Sequence, residues 1–336
     1  MKTLLYACLA AGLPAATPAL PSGDETDRKA TVTHPLVHDP VMAKEGDTYY
    51  LYFTGWGISS MSTKNLTDWN FCPDVFSPIP QWAIDSVPGY EGHTWAPDIL
   101  FHDGNYHLFY SCSTFGKNTS AIGHAYRSTL DPAAPEPWKT TGAVIVSHAD
   151  SRFNAIDPNV AIDEEGNPWM TFGSFWDGIQ LVRLTPDLSA TLKPEQLHTI
   201  CSRRTPDDSL ATAGAKANAV EAPFIFRHDG YYYLFVSFDF CCRGKKSDYK
   251  TVVGRARQIN GPYLDKEGRD MARGGGSLVV ADSKDFVAIG HCAAYHFDGK
   301  DYFMAHAYRR TDGASQLFLT EMTWDDEGWP IVATSK

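Results

Sequence analysis

The chain has 336 residues, 43% hydrophobic and 13% aromatic, with a formal net charge of -11 at pH 7. That length can bury a large core, as one big β domain or two smaller ones. The acidic balance argues against nucleic acid, whose phosphates need a basic face. It selects no substrate, because acidic solubility is common among exported proteins. Sixteen Tyr, eighteen Phe and nine Trp, set among short runs and Gly, Pro and Asp turns, favour strands over helix bundles.

In chain order, Met1 to Leu20 has the form of an export signal: Lys2, an apolar run from Leu4 to Leu13, then small residues and prolines. The run is too short for a mature membrane anchor. A lipoprotein reading through Cys8 is weaker, since only a few apolar residues precede it. Secretion, or release into a periplasm, is the expectation. Pro21 to Thr33 is a loose polar leader, and one domain spans 34–336.

That domain is built on a repeat. FNAIDPNVAIDEEGNPWMTFGS, from Phe153 to Ser174, places an Asp-Pro step before an alternating apolar run. A turn at Glu164-Glu165-Gly166-Asn167 and an aromatic strand from Trp169 to Phe172 follow. Gly and Asn tolerate the positive φ that such hairpin turns need. The same plan starts again at His38, Trp95, Val220 and Gly290, so five copies recur at a spacing of roughly sixty to seventy residues. Each interval holds about four strands. The expected ones include Tyr49 to Thr54, Ile58 to Ser62, His107 to Ser113, Ser120 to Ser128, Ile179 to Leu184, Thr251 to Gln258 and Gln316 to Trp324. Five units of four strands predict an all-β, five-bladed β-propeller in a single domain. A sandwich needs far fewer residues, and the amphipathic helices of a β/α barrel are missing.

In a propeller the innermost strands begin at one end of a central channel. The first residues of the five copies are read as Asp39, Ala96, Asp157, Glu221 and His291. An isolated Asp-Pro is more often a turn cap than a catalyst. Three acids at matching repeat positions point instead to acid/base hydrolysis of a glycosidic bond, one group protonating the leaving oxygen and another activating water. Trp95, Phe115 and Trp176 suit stacking on sugar faces, whereas Tyr231, Tyr232 and Tyr233 read as blade packing. His291 among acids could hold a hydrated cation, although one His is a weak metal signal. Gly274-Gly275-Gly276 lacks the Lys and the helix of a phosphate loop. Asn65 and Asn118 match glycosylation triplets that also arise by chance.

Of seven cysteines, Cys72, Cys112, Cys201 and Cys292 show no metal-type spacing and read as buried free thiols, and a bridge from Cys241 or Cys242 to a distant cysteine stays open for an exported protein. Cys241 and Cys242 are neighbours, expected to point in opposite strand directions and so poorly placed to pair.

The motifs together resemble the endo-arabinanases of glycoside hydrolase family 43. They are His38-Asp39-Pro40, Trp95-Ala96-Pro97-Asp98, the Ser113–Gly123 stretch STFGKNTSAIG, Ala155-Ile156-Asp157-Pro158-Asn159, the Gly173–Ile179 stretch GSFWDGI and Val220-Glu221-Ala222-Pro223. The likeness runs from about residue 34 to the C-terminus. It implies cleavage of internal α-1,5-L-arabinofuranosidic bonds of arabinan, a pectin side chain, with inversion. By motif, Asp39 is the general base, Glu221 the general acid, and Asp157 the residue that orients Glu221 and tunes its pKa. His38, Trp95, Phe115, Ile156, Asn159, Ser174 and Trp176 line the substrate cleft. His291 matches the histidine beside a hydrated calcium (or sodium) ion, although Cys292 stands where relatives often carry a polar residue. Arg243 lies in a segment common in these enzymes. The resemblance implies no organic cofactor; the ligand would be arabinan or an arabino-oligosaccharide, and a monomer is expected. Exo-acting arabinofuranosidases or β-xylosidases, a retaining fructan hydrolase and a non-catalytic sugar binder share the propeller. Loops such as Pro80 to His93 and Ser202 to Asn218 would decide whether one end of the cleft is closed.

Overall fold

The computed structural model describes residues 31–204 and 218–334. Five antiparallel sheets follow one another along the chain, and within each the strands lie in a near-sequential meander. Their inner strands are Val41–Glu45, His93–His102, Asn159–Ile162, Val220–His228 and Phe286–Phe297. Each inner strand touches the next, and the fifth touches the first. This is the expected five-bladed propeller. Thr31–Val32, expected in the leader, instead pair with Asn70 and Trp69 on the outer edge of the first blade. The export signal and most of the leader fall outside the described residues.

The hairpins form for the expected local reason. Asp103-Gly104, Asp229-Gly230 and Asp298-Gly299 have φ values of 44° and 78°, 46° and 70°, and 52° and 77°. Two consecutive positive φ angles are what a type I′ turn needs, and Asp-Gly supplies them cheaply. In the third blade the work is done by Asp163, just before the expected turn residues. Its carboxylate accepts the Asn167 N–H at 2.7 Å and the Trp169 indole N–H at 2.8 Å.

Every inner strand is entered through one left-handed residue: Asp39, Ala96, Asp157, Ala222 and His291, at φ 53°, 40°, 57°, 54° and 50°. Four of the five are followed by proline: Pro40, Pro97, Pro158 and Pro223. Strand pairing slips between Trp95 and Asp98, Glu221 and Phe224, and Gly290 and Ala293. These are bulges, where a proline breaks no ladder bond and a side chain can be re-aimed. The register corrects the sequence reading of the fourth copy. Ala222, directly before Pro223, occupies the repeat position, and Glu221 lies one residue earlier, level with His38, Trp95, Ile156 and Gly290.

The N–H of each entry residue takes its partner from the preceding blade. Ala96 donates to Thr54 Oγ1 (2.9 Å), Asp157 to Ser111 Oγ (2.9 Å), His291 to Ser237 Oγ (2.7 Å) and Asp39 to His306 Nδ1 (3.1 Å). Thr54, Ser111, Ser237 and His306 are equivalent: they lie opposite His38, Trp95, Glu221 and Gly290. The third blade has Gly173 at that place, bonded to Ile156 O, and offers no side chain. The N–H of Ala222 turns instead to Asp157 Oδ2, at 3.2 Å.

A second belt joins the blades one step deeper. Asp98 accepts the Val160 N–H at 2.7 Å and the Asn159 amide at 3.3 Å, and Asn159 Oδ1 accepts the Ile225 N–H at 2.8 Å. Asn159 is therefore an inter-blade tie, 3% exposed. Expected in the cleft, Asn159 has its Oδ1 and one amide N–H committed to neighbouring blades. Side chains and loop carbonyls close the ring. Tyr295 OH accepts the Met42 N–H at 2.9 Å, Pro35 O accepts the Leu317 N–H at 3.0 Å, and Lys44 pairs with Asp298. Among the described residues no helix is long and apolar enough to cross a membrane.

Asp98→Ala should leave the Val160 N–H buried and unpaired, lowering stability by about 3 kcal/mol. A denaturant midpoint equal to that of the parent chain would show that this joint carries no weight.

Candidate active site

The entry residues bring Asp39, Asp157 and His291 to one end of the channel, with Glu221 beside them. Asp39 is 7% exposed. Its Oδ1 lies 2.9 Å from His38 Nδ1 and 2.9 Å from His291 Nδ1, and its Oδ2 accepts the Thr54 hydroxyl at 2.6 Å. Burial alone would raise this carboxyl. The adjacent His291 and His38 outweigh burial and hold it well below the usual carboxylate range. Burial works against His291 too, yet Asp39, with Asp157 and Glu221, raises its pKa to about 8.

Glu221 is placed differently. Its Oε2 accepts the Ser174 hydroxyl at 2.6 Å and its Oε1 the Tyr249 hydroxyl at 2.8 Å. Burial pushes its pKa up against both bonds. Burial also pushes Asp157 well above its ordinary range; His291 opposes the rise, and the charges of Glu221 and Asp39 add to it. One carboxylate is thus held ionised, and a neighbouring pair favours keeping a proton.

Behind Asp39, the His306 ring stacks on His38 at 3.9 Å between centroids. Burial, and then the charge of His38, lower its pKa to about 3, so it is neutral. Its Nδ1 accepts the Asp39 N–H, and its Nε2 has no hydrogen-bond partner among the described residues. Sequence reasoning missed His306 and Tyr249. Aligning the second strands of the blades, as the first strands were aligned, would have placed His306 level with Thr54, Ser111 and Ser237.

Of the remaining expected cleft residues, His38 is half-buried and its Nε2 meets Tyr308 OH at 2.9 Å. Ile156 is buried, and Ser174 is spent on Glu221. Trp95 is half-buried and donates its indole N–H to His93 at 2.8 Å. Phe115 is 74% exposed in a loop tied down by the Thr114 hydroxyl on Pro88 O. Trp176, also half-buried, sits at φ 37° with its carbonyl fixed by the Asn218 amide. Trp56 was not anticipated. It is 57% exposed and edge-on to His93 at 5.5 Å, held there because Gly55–Trp56 pair with the second inner strand. The Pro80 to His93 insertion folds partly into a helix, Gln81–Ser86, against the outer strands of the second blade. Within the Ser202 to Asn218 insertion, residues 205–217 lie outside the described ones.

Among the described residues, two groups of three ligand atoms lie within 4.8 Å of one another: His38–Asp39–His306 and His38–Cys241–Cys242. His291 is in neither. Its Nδ1 faces Asp39 at 2.9 Å, and with the pKa raised to about 8 the ring carries a proton on Nε2 that a cation bound there would have to displace.

Gly290 leaves room for Tyr249, whose hydroxyl holds Glu221. A Cβ there would meet the buried Tyr249 ring at 2.3 Å. Gly290→Ala should cost about 1–3 kcal/mol through overpacking. Tyr249→Phe keeps the ring and loses only the hydroxyl, so it should cost about 1 kcal/mol. Urea midpoints of the two variants check the order, and a Gly290→Ala midpoint at or above that of Tyr249→Phe would contradict it.

Residues 30–330 match the profile of glycosyl hydrolases family 43. An extracellular exo-α-(1→5)-L-arabinofuranosidase of Cellvibrio japonicus is 47% identical over 88% of this chain and 86% of its own. An extracellular endo-α-(1→5)-L-arabinanase of Bacillus subtilis is 38% identical over 88% of this chain and 87% of its own. The crystal structure of an exo-1,5-α-L-arabinanase from a bovine ruminal metagenomic library superposes with a TM-score of 0.85 at 49% identity, covering 90% of this chain and 98% of that one. With a profile match over most of its length and relatives well above 30% identity, the chain belongs to the family 43 glycosyl hydrolases.

Proposed function

We propose that this protein hydrolyses α-1,5-linked L-arabinan with inversion, Asp39 acting as general base and Glu221 as general acid. The observation that carries this reading is the split among the buried carboxylates. His38, His291 and Thr54 keep Asp39 ionised and ready to accept a proton from water, while burial favours the protonated form of the Asp157–Glu221 pair. Environments that push two carboxyls apart in pKa assign base and acid. Asp157 acts as the positioning and tuning group, since it holds the backbone N–H next to Glu221. Trp95, Phe115, Trp176 and Trp56 offer ring faces to the sugars, with His38, Ile156 and Ser174 on the channel side. A hydrated cation at His291 Nε2 belongs to this proposal and would add positive charge beside the three carboxylates.

We read the action as proceeding from a chain end. The exo-named relatives share 47% and 49% identity with this chain, against 38% for the endo-named one. Internal cleavage, the expectation from the motifs, is the second reading, supported by that endo relative. Export follows from the signal-like N-terminus, outside the described residues, together with the extracellular names of both curated relatives.

A time course on debranched arabinan, resolved by chain length, tests both readings. A single short product from the first minutes is the expected result, and an early ladder of oligosaccharides would establish internal cleavage. No product, with arabino-oligosaccharide binding intact, would overturn hydrolysis altogether.

Asp157→Asn tests the acid. Glu221 must be protonated to act, and removing a neighbouring negative charge lets it lose its proton at lower pH. The alkaline limb of the pH–rate profile should therefore move down by on the order of one pH unit. An unchanged limb would remove Asp157 from the tuning role.

A further inference from the structure

We propose that Cys241, Cys242 and His38 form a binding site for a soft divalent cation of the zinc and cadmium class, and that filling it reversibly shuts off the adjacent base. The strand Tyr231–Phe238 ends before these cysteines, and the chain bends there, with Cys242 at φ 65°. The expected alternation of a strand therefore does not apply. Both sulfurs come to one side, where they and one ring nitrogen of His38 lie within 4.8 Å of one another. Cys242 Sγ is 3.8 Å from His38 Nε2, and Cys242 is exposed, so an ion can enter from solvent.

The donor set is chemically selective. Two thiolates and an imidazole suit zinc-like ions and discriminate against calcium or magnesium, which take oxygen ligands. His38 is prepared for the role from behind. Its Nδ1 faces Asp39 Oδ1 at 2.9 Å, the carboxylate–histidine arrangement that orients a metal-binding ring and leaves the far nitrogen as ligand. On binding, the protons carried by the two sulfurs and by His38 Nε2 pass to solvent, and the ion replaces the Tyr308 hydroxyl that now meets His38 Nε2 at 2.9 Å. Three protein ligands leave a fourth position for water. The ion would sit one imidazole away from Asp39, withdrawing charge from the base and crowding the channel mouth. The inhibitory half of this inference rests on Asp39 being the base; the binding half does not.

The test uses the full chain, reduced with a phosphine and desalted without oxygen, then titrated with Cd²⁺. A thiolate-to-metal charge-transfer band in the ultraviolet should saturate at one ion per chain. Arabinan hydrolysis should fall to background along the same curve and return with a chelator. Cys242→Ser should lose both the band and the inhibition while hydrolysing at the parent rate in the absence of metal. Cys72→Ser, a change at another partly accessible thiol, should keep both. No band in the parent chain, or an equal band in Cys242→Ser, would overturn the site. A band without inhibition in a hydrolysing enzyme would overturn its coupling to the base. If the chain does not hydrolyse arabinan, the band still decides the site, which separates this failure from that of the proposed function.

Discussion

The molecule depends on how five backbone N–H groups are satisfied. Each inner strand enters the channel through a left-handed residue whose amide cannot join its own ladder. An amide left unpaired there would cost on the order of 1–3 kcal/mol. At four junctions a hydroxyl or an imidazole from the preceding blade supplies the bond. One type of contact therefore sets both the packing of neighbouring blades and the direction in which the entry side chains point. At the remaining junction the supplying position is Gly173, where a Cβ would meet Gly178 O at 2.6 Å. A carboxylate takes over that structural duty, and this fixes Asp157 against the residue next to Glu221. The irregular blade is thus the one beside the pair of raised carboxyls.

The same geometry divides the charges. Asp39 faces two imidazoles and a hydroxyl, and accepts charge stabilisation from all three. Among the described residues, Glu221 and Asp157 have no ion-pair partner of their own, and burial is the first influence on both. Buried carboxyls without a paired cation drift toward the neutral form, while a paired one stays ionised. His306 adds a neutral ring behind Asp39, so this carboxylate is braced without a further positive charge.

Much of this was legible in the sequence, because hairpin turns are local. Asp-Gly pairs fix positive φ without help from distant residues, so the count of five copies and the strand pairs could be read directly. The register of the fourth copy was open to error, because Glu221 and Ala222 are adjacent and the chemistry of an acid competed with the spacing to Pro223. Asn159 belongs to a motif beside the site, yet its Oδ1 and one amide N–H are committed to the Ile225 N–H and Asp98, a pairing set by two other blades. Tyr249 and His306 were hidden for the same reason: their roles come from strands that meet only when blades dock. Cys241 and Cys242 follow a strand, and only the bend after Phe238 brings both sulfurs to one side.

The seam between the first and last blades has a consequence for how the chain matures. Apart from Gly55–Trp56, which joins the second blade, each blade is contiguous in sequence, so its hairpins can form early and at low entropic cost, as contacts of short sequence separation do. Asp39 is the exception, since its partners His291 and His306 lie 252 and 267 residues away along the chain. During synthesis, four blades can fold while that carboxylate has only the neighbouring His38 and still lacks the imidazoles of the last blade. The full set of contacts around Asp39 forms only when the ring closes, so this end of the channel is a property of the completed circle and not of any blade within it.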